Sequence, residues 1–210
     1  MSNNALGADD QQGSRPLGVD PSETTRRAPL SKKAAIAYLR GALHDATFSS
    51  NCRFRFSQKG KEWLEIIQEM FTSLGHKSWI YQEGKTRDVF VLETLAQFLD
   101  FDLDPLSLQT KSERRAYVGG FFDAEGGIPH SALDHFYVQL VQNDKIKLQK
   151  IQKILNSFGI RLGKIHNPSR RLHPEYWRVF VRADSQQRFI QRIEIRHPRK
   201  RKLLRERMMI

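Results

Sequence analysis

Cysteine is almost absent from this chain: 210 residues contain one, Cys52. A single thiol excludes an intramolecular disulfide framework and any zinc site built on several cysteines. The seven histidines do not fall at metal-ligand spacing. There is no glycine loop of the phosphate-cradling kind, and no Ser or Cys is arranged with a His as a nucleophile pair. Long apolar runs are missing too. None approaches the ~20 residues that cross a bilayer, and the N-terminus lacks the apolar core of a secretory signal. The expected setting is intracellular, in cytoplasm or nucleoid, with an organelle matrix left open. A membrane is not expected as partner, because no amphipathic helix with an exposed aromatic face accompanies the charge.

Acid is the next scarcity. Asp and Glu number 23 against 35 Lys and Arg, a formal net charge of +12. A basic excess of that size favours nucleic acid as partner. Residues 1–30 stand apart. They are rich in Asn, Gln, Asp, Ser, Gly and Pro without helical or strand periodicity, and are expected to be a disordered tail. Asp9, Asp10, Asp20 and Glu23 make this tail slightly acidic and argue against a transit peptide. The positive charge therefore belongs to the rest of the chain.

What the chain does have is a repeat. Tyr38-Leu39-Arg40-Gly41 matches Tyr117-Val118-Gly119-Gly120 at an offset of 79. Gln58 matches Gln142, Ile67-Gln68 matches Ile151-Gln152, and Ser73-Leu74-Gly75 matches Ser157-Phe158-Gly159, all at an offset of 84. Val89-Phe90-Val91 matches Val179-Phe180-Val181 at an offset of 90. Each copy opens with an apolar helix. Period-two alternation follows at 52–56 and 136–140, the mark of a half-buried strand. Amphipathic helices follow at 63–74 and 146–158, where Gly75 and Gly159 stand as C-terminal caps with positive φ. Strand pairs are expected near 77–82 and 87–92, then 162–167 and 176–182, each before a final helix. The fold class is α+β, two pseudo-symmetric αββαββα repeats. Residues 31–103 make the first repeat, 104–110 a linker with Pro105, and 111–210 the second repeat.

Gly119 and Gly120 each cost about 1 kcal/mol in a helix interior relative to Ala. Close approach of another backbone would compensate, and the equivalent helix of the first repeat is the natural partner. Asp123 and Glu125 then sit at the helix C-terminus, where the dipole disfavours an acid. One acid per helix suits divalent cations held over a phosphodiester.

The run Val118-Gly119-Gly120-Phe121-Phe122-Asp123-Ala124-Glu125-Gly126 resembles the signature of the LAGLIDADG homing endonucleases. The duplication, the stretches Ser57-Gln58-Lys59 and His197-Pro198-Arg199-Lys200, and the basic charge extend the resemblance over roughly residues 32–207. It implies two curved antiparallel sheets forming a DNA-binding saddle around a central pair of motif helices. It also implies a monomer that cleaves double-stranded DNA at a long asymmetric site, with magnesium or another divalent cation. Intron RNA is a further candidate partner. The rival readings are a non-cleaving nucleic-acid-binding protein, such as an intron maturase or regulator, and a strand-specific nickase. By the resemblance Glu125 is catalytic and a metal ligand, and Asp123 is structural.

The acid of the first repeat depends on register. At the offset of 79, Ala46 stands opposite Glu125 and the half site has no ligand. Read back from the strand, Asp45-Ala46-Thr47-Phe48 matches Glu125-Gly126-Gly127-Ile128 at an offset of 80. That register is preferred, and it makes Asp45 the second metal-binding acid. It removes one helical residue, so the last turn should tighten toward 3₁₀ geometry.

The resemblance gives Gln58 and Gln142 a role in ordering water or metal, with a helix cap or solvated turn as the competing reading. It places a basic residue beside the scissile phosphate, for which Lys111, Lys200 and Arg199 are candidates. Exposed strand positions are the candidates for DNA contact, since Arg pairs with guanine and Gln with adenine in the major groove. In the first repeat these are Arg53, Arg55, Lys77, Trp79, Tyr81, Lys85 and Arg87. In the second they are His130, His135, Tyr137, Gln139, Lys164, His166, Arg170, Arg171 and Arg178. The longer hairpins of the second repeat predict a footprint weighted to that half.

Overall fold

The computed structural model describes residues 28–208, apart from positions 85, 130 and 132. The disorder expected for residues 1–27 lies outside the described residues. The tail boundary moves, however. The Ala28 carbonyl accepts a hydrogen bond from Arg196 Nη2 (2.8 Å), and Leu30 packs against the core, so 28–30 already belong to the fold.

The first motif helix, α1 (Lys32–Ala42), starts where the Ser31 hydroxyl accepts from the Ala34 amide. It runs directly into a 3₁₀ turn, Leu43–Asp45, and then into β1 (Ala46–Phe48). A turn with Cys52 at φ 56° leads to β2 (Phe54–Gln58). The amphipathic pattern forms α2 (Glu62–Ser73), closed by Gly75 at φ 81°, the left-handed conformation that the sequence asked for. Strands β3 (Ser78–Gln82) and β4 (Phe90–Thr94) complete an antiparallel sheet in the order β1-β2-β4-β3. Phe54, Phe56, Ile80 and Leu92 lie on the face turned to the core, and Arg55, Trp79, Tyr81 and Glu93 on the other.

No α-helix follows β4, which corrects the final helix expected in the first repeat. The Thr94 hydroxyl caps the Ala96 amide and Leu99 donates back to Ala96, closing a single turn that buries Ala96 and Leu99. The acids Asp100, Asp102 and Asp104 then lead to a 3₁₀ turn at Pro105–Ser107, and the Asp100 and Asp104 carboxylates accept from the Asp102 and Leu106 amides in local turns instead of a helix.

The second motif helix, α3 (Lys111–Glu125), begins with a reciprocal capping box between Thr110 and Glu113. It passes into β5 (Gly126–Gly127), then β6 (Gln139–Gln142), α4 (Lys145–Ser157) capped by Asp144, and β7 (Trp177–Phe180). The sheet order is β5-β6-β7. The strand expected at 162–167 is reduced to two isolated bridges, Leu162 to Val181 and His166 to Arg178. Gly163 weakens this segment, whereas its counterpart Ser78–Gln82 carries Trp, Ile and Tyr, which suit a strand. The alternation at 136–140 likewise yields strand only from Gln139 on. Helices α5 (Ala183–Arg192) and α6 (Pro198–Met208) complete the described residues. Among the described residues no helix is long and apolar enough to cross a membrane.

The centre of the molecule is the crossing of α1 and α3. A β-carbon on Gly41 would stand 2.0 Å from the Tyr117 carbonyl oxygen, and one on Gly120 at the same distance from that of Tyr38. Gly119 serves a different neighbour, since its β-carbon would meet the Glu194 carbonyl oxygen at 2.3 Å. One glycine admits the partner helix and the other admits the strap between α5 and α6.

Candidate functional site

Asp45 and Glu125 each occupy the last position of a helical segment, directly before the first strand of its sheet. The 3₁₀ turn takes up the residue that the first repeat lacks, so Asp45 stands where Glu125 stands in the second. The two acids feel each other. Burial pushes Glu125 up to about 7, and the negative charge of Asp45 adds to the shift. Asp45 is raised to about 6 by burial, opposed by a hydrogen bond from the Gln58 amide and by Lys200.

Lys200, in the first turn of α6, closes this centre from the other side. Its Nζ donates to the Phe122 (2.6 Å) and Asp123 (2.7 Å) carbonyls and lies over the Phe122 ring. A cation there answers the negative end of α3. Burial lowers its ammonium to about 8, against the restoring charges of Asp123, Asp45 and Glu125. Lys111 does not share this place. It is the first residue of α3, exposed, and about 21 Å along the axis from Glu125. The expectation for Lys111 is therefore corrected: a helix cannot bring its two ends together, and the nearby cation comes from α6.

Asp123 is buried and bonded to partners other than the two acids. Its Oδ2 accepts from the Tyr38 hydroxyl (2.5 Å) and from the Arg196 (2.6 Å) and His197 (3.0 Å) amides. Trp63 Nε1 in turn donates to the Tyr38 oxygen (2.9 Å). This carboxylate ties α1, α2, α3 and the strap after α5 into one knot. Nothing in the local sequence marks Tyr38, Trp63 and Arg196 for this knot. The Tyr38 and Tyr117 match at the offset of 79 was the available signal.

The two glutamines differ in their surroundings. Gln58 bonds the acid of its own repeat. Gln142 places Oε1 on the Asn143 amide (2.7 Å), as a turn residue would, and turns Nε2 to His44 Nδ1 (3.0 Å).

On the outer face of the first sheet, Glu93 organises the basic residues. Arg53 Nη1 lies 2.9 Å and Arg55 Nε 3.1 Å from its carboxylate, and the Tyr81 hydroxyl donates to it at 3.0 Å. Burial would raise Glu93, but these bonds and the two arginine charges hold it below the usual carboxylate range. Arg53 also covers the Trp79 ring, and Arg55 reaches Glu83 (3.0 Å). Lys77 and Arg87 are exposed at the sheet ends. On the second sheet, Gln139 lies opposite Phe180, whose ring meets Tyr137 edge-on, and Arg178 Nε donates to His166 (3.2 Å). His135, Lys164, Arg170 and Arg171 are exposed in the adjoining loops, and Arg199 on α6. Lys85 and His130 lie outside the described residues. Glu93 was the missed residue here, because an acid within an apolar strand gives no sign of the arginines it will meet.

Residues 112–194 match the family model described as LAGLIDADG-like domain. No curated protein sequence matches the chain. Among solved structures the chain is similar to the homing endonuclease I-DmoI in complex with DNA and Mn, with a TM-score of 0.59, 20% identity, and 78% of this chain and 97% of that one covered. It is similar also to full-length DUF199/WhiA from Thermatoga maritima, with a TM-score of 0.64, 16% identity, and 87% and 61% covered. The N-terminal LAGLIDADG domain of DUF199/WhiA matches with a TM-score of 0.62, 15% identity, and 80% and 87% covered. These likenesses show the fold.

Proposed function

From a chain that has the LAGLIDADG fold, and whose residues 112–194 are a LAGLIDADG-like domain, we propose a site-specific endonuclease that hydrolyses double-stranded DNA with a divalent cation. The observation that carries this reading is the pair Asp45 and Glu125: one half-buried acid per motif helix, mutually repelling, with Lys200 beside them. The donor set fits a hard cation. Carboxylates raised in this way are relieved when a cation binds. Among the described residues no group of three or more potential ligands is gathered, so water and phosphate oxygens would complete the coordination. That division suits magnesium, which keeps several waters and commonly takes only one or two carboxylates. Bound there, a divalent cation would supply positive charge to the phosphate and to the leaving oxygen.

The chain's own residues do the rest. Gln58 holds the Asp45 carboxylate in orientation. Lys200 adds positive charge beside both acids. The outer sheet faces present Arg55, Trp79, Tyr81, Gln139 and Arg178 for groove and backbone contacts. One chain holding both halves acts as a monomer, and its unequal halves suit an asymmetric site. The unlike settings of Gln58 and Gln142 favour one alternative, a nickase.

Sites selected from a randomised duplex pool, cloned into supercoiled plasmid and incubated with magnesium, test the proposal. Linear product supports it. Nicked circles only support the nickase. Tight binding without a cut in either strand overturns both in favour of a non-cleaving binding protein.

A further inference from the structure

We propose that His44 is a positioning residue for Gln142, fixing the amide orientation of the second repeat's glutamine from the motif helix of the first. The hydrogen bonds leave one consistent assignment. Gln142 Oε1 accepts the backbone amides of Asn143 (2.7 Å) and Asp144 (3.4 Å), so the group turned to His44 is the Nε2 amine, a donor. His44 Nδ1, 3.0 Å away, must then be the acceptor and carry no proton. The ring proton is on Nε2, which lies 3.0 Å from the Tyr117 hydroxyl and donates to its oxygen. The ring is further held edge-on against Phe121, with centroids 4.9 Å apart. A neutral imidazole of one tautomer thus joins α3 to the end of β6.

The repeat explains why a histidine stands here. At the offset of 79 that pairs Tyr38 with Tyr117, His44 corresponds to Asp123. Both tyrosines cross to the opposite helix and bond that position, Tyr38 to Asp123 and Tyr117 to His44. Asp123 is completed by two backbone amides of the strap after α5. The first repeat has no final helix and no such strap. A carboxylate at position 44 would be a buried charge without those two backbone donors, whereas a neutral imidazole is satisfied by one donor, Gln142, and one acceptor, Tyr117. The structural anchor of one repeat has become a brace on a site residue of the other.

The importance of Gln142 to cleavage rests on the endonuclease reading, so the test separates the two. The chain with ¹⁵N-labelled histidine gives the ring nitrogen shifts at neutral pH. His44 should show a protonated Nε2 and a hydrogen-bonded, unprotonated Nδ1, and Gln142→Ala should move the Nδ1 signal toward the unbonded value. Strand-resolved single-turnover cleavage is then compared among variants. His44→Asn keeps an acceptor near Nδ1 and should remain close to wild type. His44→Gln places its polar atoms nearer Nε2 and should slow one strand about ten- to a hundredfold at unchanged DNA affinity. Tyr117→Phe should slow the same strand less. A protonated Nδ1, an Nδ1 signal indifferent to Gln142→Ala, or equal slowing of both strands overturns the proposal. The expected signature in a chain that cuts neither strand supports the brace and overturns the endonuclease reading instead.

Discussion

Gly120 passes so close to Tyr38 that a β-carbon on it would stand 2.0 Å from the Tyr38 carbonyl oxygen and 2.8 Å from the Ala42 amide nitrogen. Both neighbours are backbone, so neither can swing aside. Helix propensity alone would make Gly120→Ala stabilising by about 1 kcal/mol. Overpacking should reverse that sign and leave a net loss of about 1–3 kcal/mol. Urea unfolding measures it, and an unchanged or higher midpoint would show that the helices part without cost.

The acids predict how stability depends on pH. Asp45 and Asp123 are raised to about 6 and Glu125 to about 7, each chiefly by burial. Unfolded carboxyls titrate near ~4, so between ~4 and these values the folded state binds more protons. The contribution of these three acids to the stability of the metal-free protein should therefore fall as pH rises from about 4 to about 7, opposed below ~6.5 by His44 and His197, which burial lowers to about 3. Lys200 is lowered to about 8 by burial. Above that value the unfolded state binds the extra proton, so its contribution rises with pH toward ~10. In thermal melts the loss due to the acids, read as the difference between wild type and Glu125→Gln, should be largest near neutrality, and magnesium should shrink it.

Removing one acid should separate stability from activity. Asp45→Asn and Glu125→Gln each delete a buried charge and the repulsion on its partner. Metal-free melting should rise, while cleavage falls on the order of a hundredfold or more. Cleavage that survives Asp45→Asn intact would mean that the first half site has no ligand, as the offset of 79 implies.

Protons and metal should compete. At limiting magnesium the cleavage rate should climb with pH through about 7 as Glu125 ionises, and saturating magnesium should shift the profile toward acid. A profile insensitive to magnesium concentration would argue against Glu125 as a ligand.

Glu93 restrains the basic face. Glu93→Gln removes the charge that holds Arg53 and Arg55 and should release them to phosphates. Binding to unrelated duplex should strengthen and its salt dependence should steepen by about 1 in log–log slope for each arginine released, up to about 2. Discrimination for the selected site should fall. Unchanged affinity and slope would mean that these arginines do not meet DNA.

Much of this was legible in the chain. The duplicated Tyr-x-x-Gly helices, the alternating strands and the capping glycines follow from periodicity and backbone preference, which are local. The shortened turn before Asp45 was legible too, because an exit aligned without a gap fixes the register. The missing final helix of the first repeat was not. Residues 95–99 have helical apolar spacing, but Asp100 and Asp104 take the Asp102 and Leu106 amides into local turns. Lys111 misled for a related reason: order along the chain suggested proximity, and helix rise denies it.

By itself the sequence determined that two like halves share a pair of small-residue helices ending in acids, and that the surface is basic. Those properties are carried by residue type and spacing. Tertiary structure alone decided which cation reaches the acids, which arginines Glu93 holds, and that His44 meets Gln142. Each of these is a meeting of side chains distant in the chain, Gln142 and His44 among them, and the strength of such a contact depends on burial and direction. Neither is written in the order of residues.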